Sequence, residues 1–106
     1  MGLITALGSD ADTFFANLLE GKSGIGPLTR FDPTASPCKV AGEVNTFDPA
    51  QYMDPREARR TDRFAQFAVA AAKLAVKDSA IDLDKTDRDR VGVIIGSGIG
   101  GMDTIE

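Results

Sequence analysis

Apolar residues recur with a helical period in two stretches of the chain. In the first stretch, Phe15, Leu18 and Leu19 fall on one face of a helix. We expect Ser9 to cap the start of this helix, with an acid three residues later, and Gly21 to end it. The pattern therefore predicts an amphipathic helix between Ser9 and Gly21.

The second stretch predicts one long helix that begins at Asp54-Pro55 and continues to about Lys77. Asp54 is the expected capping residue, Pro55 takes the first helical position and Glu57 completes a capping box. The apolar positions that keep the 3.6-residue period are Phe64, Phe67, Ala68, Ala71, Leu74 and Ala75. Because so many of them are alanines, we expect this helix to pack closely against other elements of a larger protein.

The remaining stretches predict loops and strands. Residues 22–32 are rich in Gly and Pro and are typical of an ordered loop. Residues 38–44 predict a short edge strand, with Gly42 as a bulge or a point of close approach. Residues 91–95 form a β-branched run typical of a strand covered on both faces, and the opening MGLITALG is typical of a strand's tail. A buried strand needs neighbours that this chain hardly supplies, so the order predicts part of a larger α/β protein.

Charge and composition narrow the classes of function. The 106 residues are those of one small domain with a formal net charge of −4, which argues against nucleic-acid binding. No apolar run approaches membrane-spanning length, and no secretory signal opens the chain. Histidine is absent, Cys38 is the single cysteine, and no metal-binding spacing occurs. The sequence therefore predicts no metal, no cofactor and no catalytic residue within this stretch.

The glycine segment, residues 96–101, has two interpretations. Its sequence GSGIGG matches the dinucleotide fingerprint G-x-G-x-x-G. A working fingerprint follows the first strand of a βαβ unit and has an acid about 20 residues later, whereas here the strand comes last. The favoured alternative is that the glycines let the backbone turn sharply and pass close to another element, with Ile99 pointing into an apolar space.

Four arginines form the chain's one basic concentration. Arg56, Arg59, Arg60 and Arg63 share one face if the segment is a continuous helix. Such a face is either solvated and energetically quiet or a surface that orients an acidic or phosphate-bearing partner. Cys38 follows a proline and has no base to activate it, so an inert thiol is favoured over a nucleophile.

Four segments in order resemble the β-ketoacyl-[acyl-carrier-protein] synthase II family. They are LLEGKSGIGPLTRFDP, AGEVNTFDPAQYMD, REARRTDRFAQFAVAAAKLAV and RVGVIIGSGIGGMDTIE. The resemblance implies an α/β chain in which residues 1–106 are the N-terminal segment of a thiolase-like fold, incomplete as a domain. The complete family members have α-β-α-β-α layers and form homodimers. They elongate acyl chains in fatty-acid synthesis by decarboxylating Claisen condensation, in the bacterial cytoplasm or the plastid stroma.

The resemblance also assigns roles to particular residues. Arg56, Arg59 and Arg60 match basic residues that dock the acidic acyl carrier protein, whose phosphopantetheine bears the acyl or malonyl group. Ile99 matches a residue that lines the acyl pocket. Cys38 does not match the family's nucleophile, and both catalytic histidines would lie beyond residue 106, so the resemblance implies no catalytic residue here.

Three alternatives remain at this stage. In the first alternative, the parent protein is a polyketide ketosynthase, or a condensing-enzyme-like partner that has lost its nucleophile. The second alternative is a non-catalytic module that binds carrier protein through the arginines. The third is a nicotinamide or flavin binding protein that holds its nucleotide at the glycine segment.

Overall fold

The computed structural model describes residues 1–105, apart from the side chain of Asp103. The chain divides into two compact units. One is Ile4–Phe47, and the other combines Met1–Leu3 with the chain from Asp48 onwards. Phe47 is buried in the first unit, and Met53 and Ala70 are buried in the second.

The first helix of unit Ile4–Phe47, α1, spans Ala11–Leu19. Its capping residue is Asp10, whose carboxylate accepts a hydrogen bond from Thr13 N at 2.8 Å. The prediction that Ser9 caps the helix is therefore wrong by one position. The reason is that Asp10 holds the extended backbone conformation of a capping residue, which aims its side chain at the free amides of the first turn.

The end of α1 is where the sequence predicted it. Gly21 has a φ of +68°, in the left-handed region that suits glycine. The amides of Gly21 and Lys22 donate to the carbonyls of Leu18 and Asn17, both at 3.0 Å, which is the Schellman arrangement. The apolar face of α1 is exposed rather than buried, since Phe15 keeps 61% of its surface accessible.

Two short antiparallel strands complete this unit. Strand β1 is Gly26–Pro27 and strand β2 is Val40–Ala41, with Gly26 opposite Ala41. The edge strand predicted at residues 38–44 is confirmed over two residues, whereas the predicted loop at residues 22–32 contains β1. A Cβ at Gly42 would lie 3.4 Å from Ile25 Cδ1, an ordinary contact, so the close approach expected there is not found.

The long helix predicted from Asp54 is two helices. Helix α2 spans Pro55–Ala58 and helix α3 spans Arg63–Ser79, so the prediction of one continuous helix is wrong. The predicted start is confirmed, because the Asp54 carboxylate accepts from Arg56 N at 2.8 Å. The break occurs because the backbone turns into an extended conformation at Asp62, with ψ of 152°, before α3 begins.

The alanine-rich part of α3 packs closely, although Phe64 at the start of the predicted face is 42% exposed. Ala70, beside that face, is completely buried. Gly2 lies against the same helix, so that an added Cβ would lie 2.9 Å from Leu74 Cβ and would overlap the backbone of Ala71. Small side chains on α3 therefore let the N-terminal segment approach the helix backbone.

Residues 91–95 do not form the predicted buried strand. Ile94 is 97% exposed and Val93 is 72% exposed. Within residues 1–105, β1 and β2 form the one sheet, and residues 91–95 are not part of it. The opening residues likewise form no strand, although Thr5 and Gly8 make an isolated bridge. A strand becomes regular only when a neighbour accepts its backbone hydrogen bonds, and that neighbour is absent from the described residues.

A short helix, α4, spans Met102–Ile105 directly after the glycine segment. Short 3₁₀ turns occur at Pro49–Gln51 and Arg88–Arg90. Among residues 1–105, no helix combines the length and the apolar character needed to cross a membrane.

Candidate functional site

The basic residues lie on α2 and the turn that follows it, which we call the arginine turn, residues 55–61. Arg56, Arg59 and Arg60 are all exposed, and the structure of residues 1–105 shows no ion pair to them. Arg63 is separated from them by the break at Asp62. Its guanidinium stacks over the Phe67 ring at 4.9 Å from the ring centre. The predicted face of four arginines is therefore corrected to three exposed arginines and one stacked arginine.

Gln66 holds the backbone of the arginine turn against α3. Its side-chain amide Nε2 donates to Ala58 O at 2.8 Å and to Thr61 O at 2.9 Å, and the site is partly buried. These two carbonyls lie on either side of Arg59 and Arg60. The sequence reasoning missed this residue, because its partners are backbone carbonyls, which every residue carries.

Asp62 contacts the end of the glycine segment. Its Oδ1 accepts a hydrogen bond from Thr104 Oγ1 at 2.5 Å. A Cβ added at Gly101 would lie 2.6 Å from Asp62 Cγ and would overlap the carboxylate. Gly101 is therefore a point of close approach, which confirms the backbone interpretation of this glycine.

The other glycines of the segment divide into two kinds. Gly100 has a φ of +91°, and a Cβ there would lie 3.6 Å from Phe64 Cζ. A Cβ added at Gly96 or Gly98 would face open space, with no neighbouring atom within 4 Å. Ile99 is 75% exposed, and its role in an acyl pocket stays a prediction. The Asp62 carboxylate lies against Gly101, and its negative charge opposes a phosphate there, so the geometry does not favour the dinucleotide alternative.

Cys38 is exposed. Its Sγ donates to Val40 O at 3.2 Å. The neighbouring Lys39 ammonium donates instead to the carbonyls of Pro33 and Thr34, at 2.5 and 2.9 Å. This arrangement favours the inert thiol over the nucleophile, since a reactive thiolate needs a cation or base beside it. In the described part of the chain, no cluster of three or more acidic or cysteine side chains suited to a metal ion is found.

Glu43 forms a second polar cluster that the sequence did not reveal. Its two carboxylate oxygens accept from Thr29 N at 2.9 Å, Thr29 Oγ1 at 2.6 Å, Arg30 N at 3.0 Å and Asn45 Nδ2 at 3.2 Å. These hydrogen bonds, above all the one from the Thr29 hydroxyl, lower the pKa of Glu43 to about 2. The carboxylate therefore fixes the segment that follows β1.

The family is decided by comparison over the whole chain. The sequence profile described as "Beta-ketoacyl synthase, N-terminal domain" matches residues 1–106. The chain belongs to this family. Among similar proteins are enzymes named "3-oxoacyl-[acyl-carrier-protein] synthase 2" from Synechocystis sp., 42% identical, and from Coxiella burnetii, 46% identical. Each alignment covers 100% of this chain and 26% of the relative, so the chain spans about a quarter of their length.

A solved structure is similar to this β-ketoacyl synthase chain in its backbone. It is titled "The ishigamide ketosynthase/chain length factor", with a TM-score of 0.70 and 35% sequence identity. The match covers 78% of this chain and 21% of that chain. The resemblance on which the sequence analysis relied is thereby confirmed at the level of the family and of a ketosynthase-like backbone.

The structure brings some of the predicted site residues of the β-ketoacyl synthase chain into one unit. The arginine turn and the glycine segment both belong to the unit that contains α3. Asp62, which directly follows the arginine turn, is bonded to Thr104, just after the glycine segment. The first turn of α3 therefore contacts both predicted functional segments, the arginine turn through Gln66 and the glycine segment through Asp62.

Proposed function

We propose that the protein carrying this chain is a 3-oxoacyl-[acyl-carrier-protein] synthase of fatty-acid synthesis. The observation that carries the proposal is the alignment of synthases of that name with all 106 residues, at 42–46% identity. Residues 1–106 are then the N-terminal segment of a thiolase-like fold, incomplete as a domain. The exposed apolar run at residues 91–95 supports this, because such a surface is stable in water only when other chain segments cover it.

The chemistry of such a synthase requires groups that this segment does not contain. A cysteine thiolate takes the acyl group from its carrier as a thioester, and the malonyl thioester then loses CO₂. The resulting carbanion attacks the acyl thioester carbonyl, forms the new C–C bond and releases the cysteine. The chain has no histidine, and the Lys39 ammonium next to its one cysteine, Cys38, donates to the carbonyls of Pro33 and Thr34 instead. The role proposed for this segment is therefore recognition of the carrier and of the acyl chain.

The arginine turn is the proposed docking surface for acyl carrier protein that bears acyl or malonyl phosphopantetheine. Three exposed guanidinium groups on a chain of net charge −4 make a local positive patch. Opposite charge across an interface speeds encounter and orients the partner. The hydrogen bonds from Gln66 support the assignment, because they give the patch a defined backbone.

The docking proposal is tested by charge reversal in the full-length protein. Arg59→Glu with Arg60→Glu should raise KM for carrier-protein thioesters several-fold and leave KM for small thioester mimics nearly unchanged. The matched control is Lys77→Glu with Arg90→Glu, which makes the same change in net charge on exposed residues elsewhere. An equal rise in KM for both kinds of substrate, or for both variants, would contradict docking at the arginine turn.

Ile99 is the proposed gate residue of the acyl pocket. It is the one large apolar residue of the glycine segment and is 75% exposed in this chain, so its side chain is free to line a cavity formed with other parts of the protein. One or two methylenes in a pocket are worth about 1–3 kcal/mol, which is enough for a chain-length preference. Ile99→Phe should reduce kcat/KM for long acyl chains more than for short ones. Equal relative rates across chain lengths would refute the gate.

A polyketide ketosynthase is the second candidate. The observation that favours it is the backbone similarity to a protein titled a ketosynthase/chain length factor. The products of the full-length protein distinguish the two candidates. A fatty-acid enzyme releases a chain extended by one two-carbon unit, which waits for reduction, whereas a polyketide enzyme adds further units to the unreduced product. The homodimer implied by the family is checked by sedimentation of the same preparation.

A further inference from the structure

Asp62 starts α3 without capping it. An aspartate at a helix start normally accepts a hydrogen bond from an amide of the first turn, which stabilises the helix by about 1 kcal/mol. Asp62 makes no such bond. Four other aspartates at helix starts in residues 1–105 do make it: Asp10, Asp48, Asp54 and Asp87. Asp62 therefore occupies the position of a capping residue but does not cap α3.

The carboxylate of Asp62 instead contacts Gly101 and Thr104, which lie about 40 positions later in the chain. Thr104 Oγ1 donates to it at 2.5 Å. Gly101 lies so close that any side chain there would overlap the carboxylate. Gly101 is the last residue of the glycine segment, and Thr104 lies in α4, which follows it.

The glycine segment has few other contacts that could order it. Gly96 and Gly98 face open space, and the Ile99 side chain is largely exposed. Glycine has the greatest backbone freedom of any residue, so a segment with four of them costs much conformational entropy to order. Side chains at the start of α3 lie beside its last two residues, Phe64 near Gly100 and Asp62 against Gly101.

We infer that Asp62 is a positioning residue for the glycine segment and thereby for Ile99. The carboxylate gives up its capping bond to anchor Gly101 and Thr104, and this anchor fixes where Ile99, two residues earlier, points. The inference deepens the proposed function and rests on it for its consequence, which is that Asp62 affects chain-length preference without touching the acyl chain.

The first measurement is the mobility of the Ile99 δ1-methyl group, read by NMR of methyl-labelled full-length protein. Asp62→Ala and Thr104→Val should both lower its order parameter, while the methyls of Ile25 and Ile81 serve as internal references. Asp62→Asn keeps an oxygen that can accept from the Thr104 hydroxyl, so it should restore the order. Thr104→Val also provides the test if Asp62→Ala does not fold.

Asp62→Ser separates positioning from helix capping. Serine is a good capping residue, but its shorter side chain does not reach Thr104. If Asp62 positions the glycine segment, this variant should behave like Asp62→Ala. If instead Asp62→Ser keeps the Ile99 methyl at its wild-type order, Asp62 serves only the helix start and the inference is overturned. Asp48→Ala, which removes an ordinary capping carboxylate from the same unit, is the matched control and should leave Ile99 unchanged.

The second measurement is the ratio of kcat/KM for a long acyl-carrier thioester to that for a short one. Asp62→Ala and Thr104→Val should change this ratio roughly threefold to tenfold. A changed methyl order with flat ratios for both Asp62→Ala and Ile99→Phe supports positioning and refutes the pocket role of Ile99. An unchanged methyl order in Asp62→Ala and in Thr104→Val overturns the positioning role, whatever Ile99→Phe does.

Discussion

Replacing Gln66 by methionine should loosen the arginine turn. Methionine has nearly the same length but no N–H donor, so the change removes the hydrogen bonds to Ala58 O and Thr61 O while keeping the packing. A hydrogen bond of this kind contributes about 0.5–1.5 kcal/mol net, so the two together contribute about 1–3 kcal/mol to the turn. The local free energy of opening should fall by that amount.

Amide hydrogen exchange measures this opening directly. Arg60 N is protected by its hydrogen bond to Glu57 O at 3.0 Å, and Ala58 N by its bond to Asp54 O at 2.9 Å. A loss of about 1–3 kcal/mol corresponds to roughly 5- to 150-fold faster exchange when exchange follows the opening equilibrium. The amides of α1 lie in the other unit and should keep their rates.

Two comparisons make the Gln66 prediction refutable. Gln51→Met changes an exposed glutamine in the same unit and should leave the exchange of the arginine turn unchanged. Gln66→Glu places a carboxylate against two carbonyl oxygens and should open the turn further than methionine does. Wild-type exchange rates for Ala58 and Arg60 in Gln66→Met would show that the two hydrogen bonds do not hold the turn. If the turn docks the carrier, the same variant should also raise KM for carrier thioesters.

Three further predictions concern the other unit and the glycine segment. The hydrogen bonds from Thr29 stabilise the charged form of Glu43, so their stabilisation is fully present above its ordinary pKa of 4.5 and is lost as the pH falls toward about 2. The carboxyl ¹³C shift of Glu43 should titrate near 2, and a midpoint near 4.5 would contradict the cluster. Gly21→Ala should destabilise the end of α1 by about 1–2 kcal/mol because of the left-handed backbone, seen as faster amide exchange there, whereas unchanged exchange would refute the strain. Gly101→Ala should displace the Asp62 carboxylate and lower the order of the Ile99 methyl as Asp62→Ala does, and an unchanged methyl would show that the close approach is dispensable.

The sequence predicted those features whose causes lie within a few residues. Gly21 ends α1 and Asp54 starts α2 through hydrogen bonds that span two to five residues. The edge strand at Val40–Ala41 was also predicted, but its partner β1 was not, because Gly and Pro at residues 26 and 27 are typical of loops. In that case the pairing overrides the local preference.

The features that the sequence did not predict depend on distant contacts. The apolar period begins at Phe64, after the break, and the polar residues at 59–63 carry no signal that separates α2 from α3. Side chains at the break bond to distant residues, Gln66 eight residues back and Asp62 42 residues forward, and periodicity does not reveal such contacts. At residues 91–95 the sequence predicted a regular element where none is formed. Their composition predicts a buried strand, but the one sheet of residues 1–105 is β1 with β2, and residues 91–95 form no strand.

At the start of α3, two residues depart from the local rules for helices, and both contact a proposed functional segment. Asp62 gives up a capping bond of about 1 kcal/mol, and Gln66 directs its amide away from its own helix. Sequences that specify one structure keep their local preferences consistent with the fold, except at sites where another requirement is stronger. Here the other requirement is visible, because the two side chains anchor two flexible segments, the arginine turn and the glycine segment. A helix that was selected only for stability would use Asp62 to cap itself. The departure from that rule is therefore a reason, independent of any relative, to expect function at this end of α3.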